Sequence, residues 1–81
     1  MSVYVLGYDT SDDEWREVCR VEADSPASPV QRIVSVTDAD AVEHIVRWNI
    51  DRYPEAASPR FIAADLGMRG TYGLADPETV S

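Results

Sequence analysis

The fold is decided by the stretch EWREVCRVEA, residues Glu14 to Ala23, in which side chains alternate with a period of two. One side of the alternation is mostly apolar and consists of Trp15, Glu17, Cys19, Val21 and Ala23. Such alternation of aromatic and β-branched residues is typical of a strand that buries one face. The strand-forming run VYVLGY, Val3 to Tyr8, precedes it across the polar turn sequence DTSDD. Together the two runs predict a β-hairpin.

Proline and capping signals predict the next elements. Two prolines in DSPASP, Asp24 to Pro29, exclude a continued strand there, because proline removes a donor from the ladder. The run VQRIVSV, Val30 to Val36, predicts a third strand. The TDAD that follows has side chains that cap exposed N–H groups, so a helix should begin there. We expect this helix to reach about Tyr53, because Pro54 cannot continue it.

The last quarter of the chain favours more strand. RFIAADL, Arg60 to Leu66, is interpreted as a fourth strand, GMRG as a turn, and TYGLA, Thr71 to Ala75, as a short fifth strand or an extended tail. Residues 77–81 are polar and expected to fray. We therefore expect a single α+β domain over residues 1–81: a mostly antiparallel sheet of four or five strands, in the order β-β-β-α-β-β, with one amphipathic helix packed on one face.

A helical wheel separates the predicted helix into two faces. Its apolar face holds Ala39, Val42, Ile45, Val46, Ile50 and Tyr53, with Ala41 and Trp48 at the edge. Asn49 projects near the middle of this face, where an unpaired amide would cost about 1–3 kcal/mol, so we expect it to have a hydrogen-bond partner. The only histidine, His44, falls on the polar face and is expected to be a surface residue rather than a general base.

The charge balance of the 81-residue chain is strongly acidic. Fifteen acids face seven bases, all of them arginine, so this lysine-free chain has a net charge of −8. Direct nucleic-acid binding is not expected, because a phosphate backbone requires a basic face. Two interpretations remain open. Either the acidity reflects the amino-acid composition shared by the proteins of an organism with a GC-rich genome or a salt-rich cytoplasm, or it steers the protein toward a partner with a basic surface.

Cys19 is the only cysteine, so neither a disulfide framework nor a cysteine-based metal site is expected. No apolar run approaches the ~20 residues of a membrane span, and the N-terminus lacks the pattern of a signal peptide. These features predict a cytoplasmic protein without membrane contact. The sequence also gives no reason to expect a cofactor or a bound metal.

Two local patterns suggest chemistry only superficially. Asp38 and Asp40 follow an apolar strand and open a helix, where some α/β enzymes place a nucleophile or Mg²⁺ ligands. The chain has no lysine to hold a phosphate and little volume for a cleft, so helix capping is the preferred interpretation.

The glycines of GMRGTYG resemble a phosphate-cradling loop, which requires a helix to begin directly after it. Pro77 follows so closely that a helix there is not expected. A hairpin turn with Arg69 at its tip is preferred.

The hairpin concentrates most of the charge. The segment from Tyr8 to Asp24 holds seven acids against two arginines, and therefore −5 of the net −8. Carboxylates around an aromatic side chain are typical of an interface, since the ring supplies contact energy and like charges select the partner. The residues expected to contact a partner are Asp9, Asp12, Asp13, Glu14, Trp15, Glu17 and Arg69. The alternative is a solvated hairpin with Trp15 packed on the helix.

These observations favour a non-enzymatic interaction module that binds a basic protein surface. An inhibitor, an immunity or antitoxin-type protein, or a nucleic-acid mimic would have these properties. One alternative is a small metal- or ligand-binding enzyme subunit that uses Asp38 and Asp40. Another is a housekeeping domain adapted to high salt. A homodimer also stays open, because Trp48 at the edge of the helix face could cover the sheet or a second copy of the chain.

Overall fold

The computed structural model describes residues 1–9, 14–67 and 74–75, and within these it is an α+β structure. In chain order the elements are β1 (Ser2–Asp9), β2 (Trp15–Ala23), β3 (Arg32–Val36), α1 (Ala39–Ala41), a π-helical segment (Val42–Val46), α2 (Arg47–Arg52), α3 (Pro59–Leu66) and β4 (Leu74–Ala75). The strands form one sheet in the order β3-β2-β1-β4 with antiparallel pairing throughout. The α+β class and the antiparallel sheet are therefore confirmed.

The predicted hairpin is present and contains a bulge. Strand β1 pairs with β2 from Ser2 opposite Ala23 to Asp9 opposite Trp15. Leu6 lies opposite Cys19 and the next residue, Gly7, lies opposite Glu17, so Val18 is an extra residue of β2. Two consecutive side chains, Val18 and Cys19, are consequently buried in the same core. Strict alternation alone would have put Val18 on the other face.

Strand β3 lies at one edge of the sheet and leads directly into the helix. The bulged Val18 carbonyl accepts hydrogen bonds from the backbone N–H groups of Thr37, at 2.9 Å, and Asp38, at 3.0 Å. These two bonds fix the start of the helix against β2. Within β3 the side chains of Val34 and Val36 are 39% and 49% exposed, as expected for a strand with a neighbour on one side only.

The predicted helix forms from α1, the π-helical segment and α2, which follow one another without a break from residue 39 to residue 52. The π turn is marked by the hydrogen bond from the Arg47 N–H to the Val42 carbonyl, five residues back. This wider turn changes which residues face the core. Ala41 is fully buried while Ala39 is exposed, whereas a regular wheel places Ala39 on the apolar face and Ala41 only at its edge. Tyr53 ends the helix and is also exposed.

The predicted fourth strand is wrong, because residues 60–66 are part of helix α3. Ser58 caps this helix by accepting a hydrogen bond from the Phe61 N–H, and Pro59 occupies its first turn, where proline is favoured. Its buried side chains recur at helical spacing and are Pro59, Ile62, Ala63 and Leu66. The order of elements is therefore β-β-β-α-α-β, and the single-helix prediction is corrected to a long helix followed by α3.

The end of the chain is described only in part. Leu74 and Ala75 form β4, which pairs with Leu6 and Val5 of β1, so the predicted fifth strand corresponds to this short fourth strand. The predicted turn at GMRG, with Arg69, and the predicted frayed tail at residues 77–81 lie outside the described residues apart from Gly67, which ends α3.

One core lies between the sheet and the helices. The strands contribute Tyr4, Leu6, Val18, Cys19, Val21 and Ala23, and the helical half contributes Ala41, Val42, Val46, Ala57, Ile62, Ala63 and Leu66. Cys19 is completely buried in this core, as predicted. Removing these side chains from water supplies the main driving force for folding.

Candidate functional site

The end of the hairpin next to its turn is the candidate interaction site. Asp9 and Trp15 are the last cross-strand pair described there. The sequence from Asp9 to Glu14 contains four acids and no base. Asp12 and Asp13, two of the predicted contact residues, lie outside the described residues, as does Arg69. In the sequence, Trp15 directly follows this acidic run, of which Asp9 and Glu14 are described.

Trp15 is held on the hairpin rather than buried beneath the helix. A Cβ added to Gly7 would lie 2.8 Å from the Cζ2 atom of Trp15 and would overlap the Arg16 carbonyl oxygen. Only glycine on β1 therefore lets the indole ring lie this close to the sheet. The residue is still 40% exposed. An aromatic ring that packs against the neighbouring strand and is open to solvent has less entropy to lose on contact with a partner.

Glu17, a predicted contact residue, is already engaged within the chain. Its carboxylate accepts hydrogen bonds from Arg20 at 3.2 Å and from the Thr37 hydroxyl at 3.0 Å. The Arg20 hydrogen bond lowers the pKa of Glu17, and that of Thr37 does the same, against the opposing effect of partial burial. Glu22 is similarly paired with Arg32 at 2.8 Å. The charges of Glu17 and Glu22 are thus partly neutralised by arginines of the sheet.

Asp38 and Asp40 have separate structural roles. The Asp38 carboxylate caps the helix by accepting a hydrogen bond from the Ala41 N–H at 3.1 Å, as predicted. The Asp40 carboxylate lies 3.2 Å from Nδ1 of His44, whose side chain is 70% exposed. Asp38, with Arg16, lines an open cleft of about 440 Å³ between the hairpin and the helix start, but Asp40 does not. The described residues contain no group of three or more His, Cys, Asp or Glu side chains that could hold a metal ion.

Asn49 has the partners that its position requires. It is 2% exposed, and its amide donates to the Ile45 carbonyl at 2.8 Å and to the Asp65 carboxylate at 3.0 Å. The second bond joins α2 to α3. The sequence predicted a partner for Asn49 but could not identify Asp65, because residues 60–66 were interpreted as a strand.

A second exposed surface has almost no signal in the sequence. We call it the aromatic ladder, and it consists of Trp48, Arg52, Tyr53 and Phe61. The ring centroids of Trp48 and Tyr53 are 6.0 Å apart, and those of Tyr53 and Phe61 are 5.8 Å apart, both in edge-to-face geometry. The Arg52 guanidinium lies 5.3 Å from the Trp48 ring centroid. Trp48 at the edge of the helical wheel was the only signal of this surface.

The burial of Cys19 limits the reactivity of its thiol. Burial raises the pKa of the Cys19 thiol to about 12, with a smaller contribution from the negative charge of Glu17. The thiol is therefore neutral in the folded protein near neutral pH and is a poor nucleophile.

Across the described residues, no helix has the length and apolar character needed to cross a membrane.

Comparison with other proteins provides no relative: the chain matches no protein-family model, and no curated protein or solved structure is significantly similar to it.

Proposed function

We propose that the protein is a non-enzymatic interaction module whose acidic hairpin end binds a basic surface on another protein. The observation that carries this proposal is the exposed indole of Trp15, fixed against Gly7 and paired across the strands with Asp9. Tryptophan is the residue most enriched among side chains that dominate binding energy. The surrounding acids would accelerate encounter with a positively charged partner and reject acidic ones.

The charge of the sequence supports this location. The run from Asp9 to Glu14 contains four acids and no arginine or histidine. A partner with arginine or lysine side chains would be attracted to this acidic run.

A basic partner surface occurs on nucleases, nucleic-acid-binding proteins and many toxins, so an inhibitor, immunity protein, antitoxin or nucleic-acid mimic is the class that we propose. Such a protein acts by occupying its partner's basic surface. It therefore needs neither a deep pocket nor a catalytic group of its own. The hairpin end, with one ring and several carboxylates, fits this requirement.

The test is capture of binding partners from the source lysate with a matched pair of double variants. Asp9→Asn/Glu14→Gln removes two negative charges at the hairpin end, while Asp24→Asn/Asp40→Asn removes two exposed charges elsewhere. We expect a basic protein to be retained at low salt by the wild type and by the second variant, and to be lost from the first. Equal retention by both variants would contradict the proposal, because net charge alone would then explain binding.

Adaptation to high salt makes a different prediction. If the acidity serves only to keep the protein folded in concentrated salt, the wild type should unfold at low ionic strength and refold in molar KCl. A module whose acids bind a partner should remain folded at low ionic strength. Circular dichroism across a KCl series separates these two explanations before any partner is identified.

A further inference from the structure

The aromatic ladder brings three exposed aromatic side chains together. Trp48 is 47% exposed, Tyr53 is 41% exposed and Phe61 is 42% exposed. The three rings come from different elements: α2, the residue that ends it, and α3. Contiguous exposed rings of this kind mark interaction surfaces rather than scattered surface hydrophobics.

The geometry of the ladder makes it a preformed surface. Each ring supports the next through edge-to-face contacts, with interplanar angles of 75° between Trp48 and Tyr53 and 66° between Tyr53 and Phe61. The Arg52 guanidinium lies 5.3 Å from the Trp48 ring centroid and 6.0 Å from that of Tyr53. Because these contacts already restrict the rings, less side-chain entropy is lost when another surface covers them.

The charges near the aromatic ladder indicate which molecule can bind there. Residues 43–61 carry three acids and three arginines, so this segment is neutral and the rest of the chain carries the whole net charge of −8. Along the helix the sign alternates from Glu43 to Arg47 to Asp51, and all three line an open cleft with Trp48 and Arg52. Two copies of the protein repel one another through their acidic surfaces, but a neutral surface with alternating signs can face a copy of itself.

We propose that the aromatic ladder is a self-association surface on which a second copy of the chain docks about a two-fold axis. Two-fold contacts place the same patch on both subunits, so a patch needs both signs of charge to complement itself. The cleft beside Trp48 provides both signs, and the ladder provides three rings that would be covered in the dimer. The hairpin end with Trp15 is a separate surface and remains available to a basic partner.

The experiment is sedimentation equilibrium of the full chain over a wide concentration range, at low and at high KCl. Trp48→Ser/Phe61→Ser is compared with Trp15→Ser, which removes an equally exposed ring from the other surface. We expect a reversible dimer in the wild type and in Trp15→Ser, and dimerisation at least about thirty-fold weaker in the double variant. Added salt should strengthen the dimer, since it screens the repulsion between two chains of net charge −8.

Three results would overturn the proposal. They are a monomer at every concentration and salt level, a dimer that survives in Trp48→Ser/Phe61→Ser, and a dimer that Trp15→Ser weakens as much as the double variant does. Far-ultraviolet circular dichroism of each variant shows whether it is folded. If the double variant fails to fold, Arg52→Glu at the same surface replaces it, with the same expected loss.

Discussion

Asn49 and Asp65 lie on consecutive helices and are joined by a hydrogen bond of 3.0 Å from the Asn49 amide to the Asp65 carboxylate. Because Asn49 is almost completely buried, this bond and the one to the Ile45 carbonyl satisfy an amide that would otherwise be costly. The contact also fixes the position of α3 relative to α2, and with it the distance between Tyr53 and Phe61 in the aromatic ladder.

The first prediction concerns this buried amide. Asn49→Leu retains the approximate volume but leaves the Ile45 carbonyl and the Asp65 carboxylate without their donor. We expect the free energy of unfolding to fall by about 1–3 kcal/mol, measured by urea denaturation. His44→Ala, at an exposed position of the same helix, should change it by less than about 0.5 kcal/mol. An Asn49→Leu variant as stable as the wild type would show that the two bonds contribute no net stability.

The second prediction follows from the lowered pKa of Glu17. A carboxyl whose folded pKa lies below its unfolded value stabilises the fold above the unfolded pKa, and this stabilisation is lost as the pH falls through the folded value. We therefore expect the unfolding free energy of the wild type to decrease below about pH 4.5, the ordinary glutamate pKa. In Glu17→Gln this part of the decrease should be absent.

The Thr37 hydroxyl provides the control for that effect. Thr37→Val removes the donor to Glu17 and should reduce the acid-dependent loss of stability, while Thr37→Ser retains a hydroxyl and should restore it. If Thr37→Val and Thr37→Ser give the same pH profile, the hydroxyl does not influence the ionisation of Glu17.

The third prediction concerns the thiol of Cys19. Its burial and its pKa of about 12 mean that thiol reagents should not label the folded protein near pH 8. Labelling should become rapid in urea, with a midpoint equal to that of unfolding. Rapid labelling without denaturant would show that β2 opens locally.

The raised pKa of Cys19 also predicts that stability decreases as the pH rises above about 9, where the thiol of the unfolded chain loses its proton first.

The fourth prediction tests how Trp15 is held. Gly7→Ala adds a Cβ that overlaps the Arg16 carbonyl oxygen and crowds the Trp15 ring. We expect a loss of about 1–3 kcal/mol in stability and a shift in tryptophan emission. Removing the ring as well, in Gly7→Ala/Trp15→Ser, should not restore stability, because the overlap with the backbone remains. Full recovery in that double variant would indicate that the ring alone requires the glycine.

The sequence predicted the first half of the fold more accurately than the second. The period-two pattern around Cys19 and the capping residue Asp38 correspond directly to the hairpin and to the helix start. RFIAADL taken alone from Arg60 onward does not distinguish helix α3 from a strand. The preceding Ser58 and Pro59, an N-cap residue and a proline in the first turn, were the available signal.

Other differences had no local signal. The π turn shifts the buried face from Ala39 to Ala41, and nothing in a 3.6-residue wheel indicates such a turn. The bulge at Val18 depends on the pairing of β2 with β1 and is likewise a tertiary feature. The aromatic ladder could not be assembled from the sequence, because it requires Phe61 to lie on a helix that packs beside Tyr53.

The measurement that tests the central claim most directly is partner capture with Trp15→Ser and Trp48→Ser. Each variant removes one exposed tryptophan ring, the first from the hairpin end and the second from the aromatic ladder. The proposed function predicts that a basic protein binds the wild type and Trp48→Ser at low salt, is released at high salt, and is lost from Trp15→Ser. Capture of that protein by Trp15→Ser at the wild-type level, or its loss from Trp48→Ser instead, would contradict the assignment of the hairpin end as the binding surface.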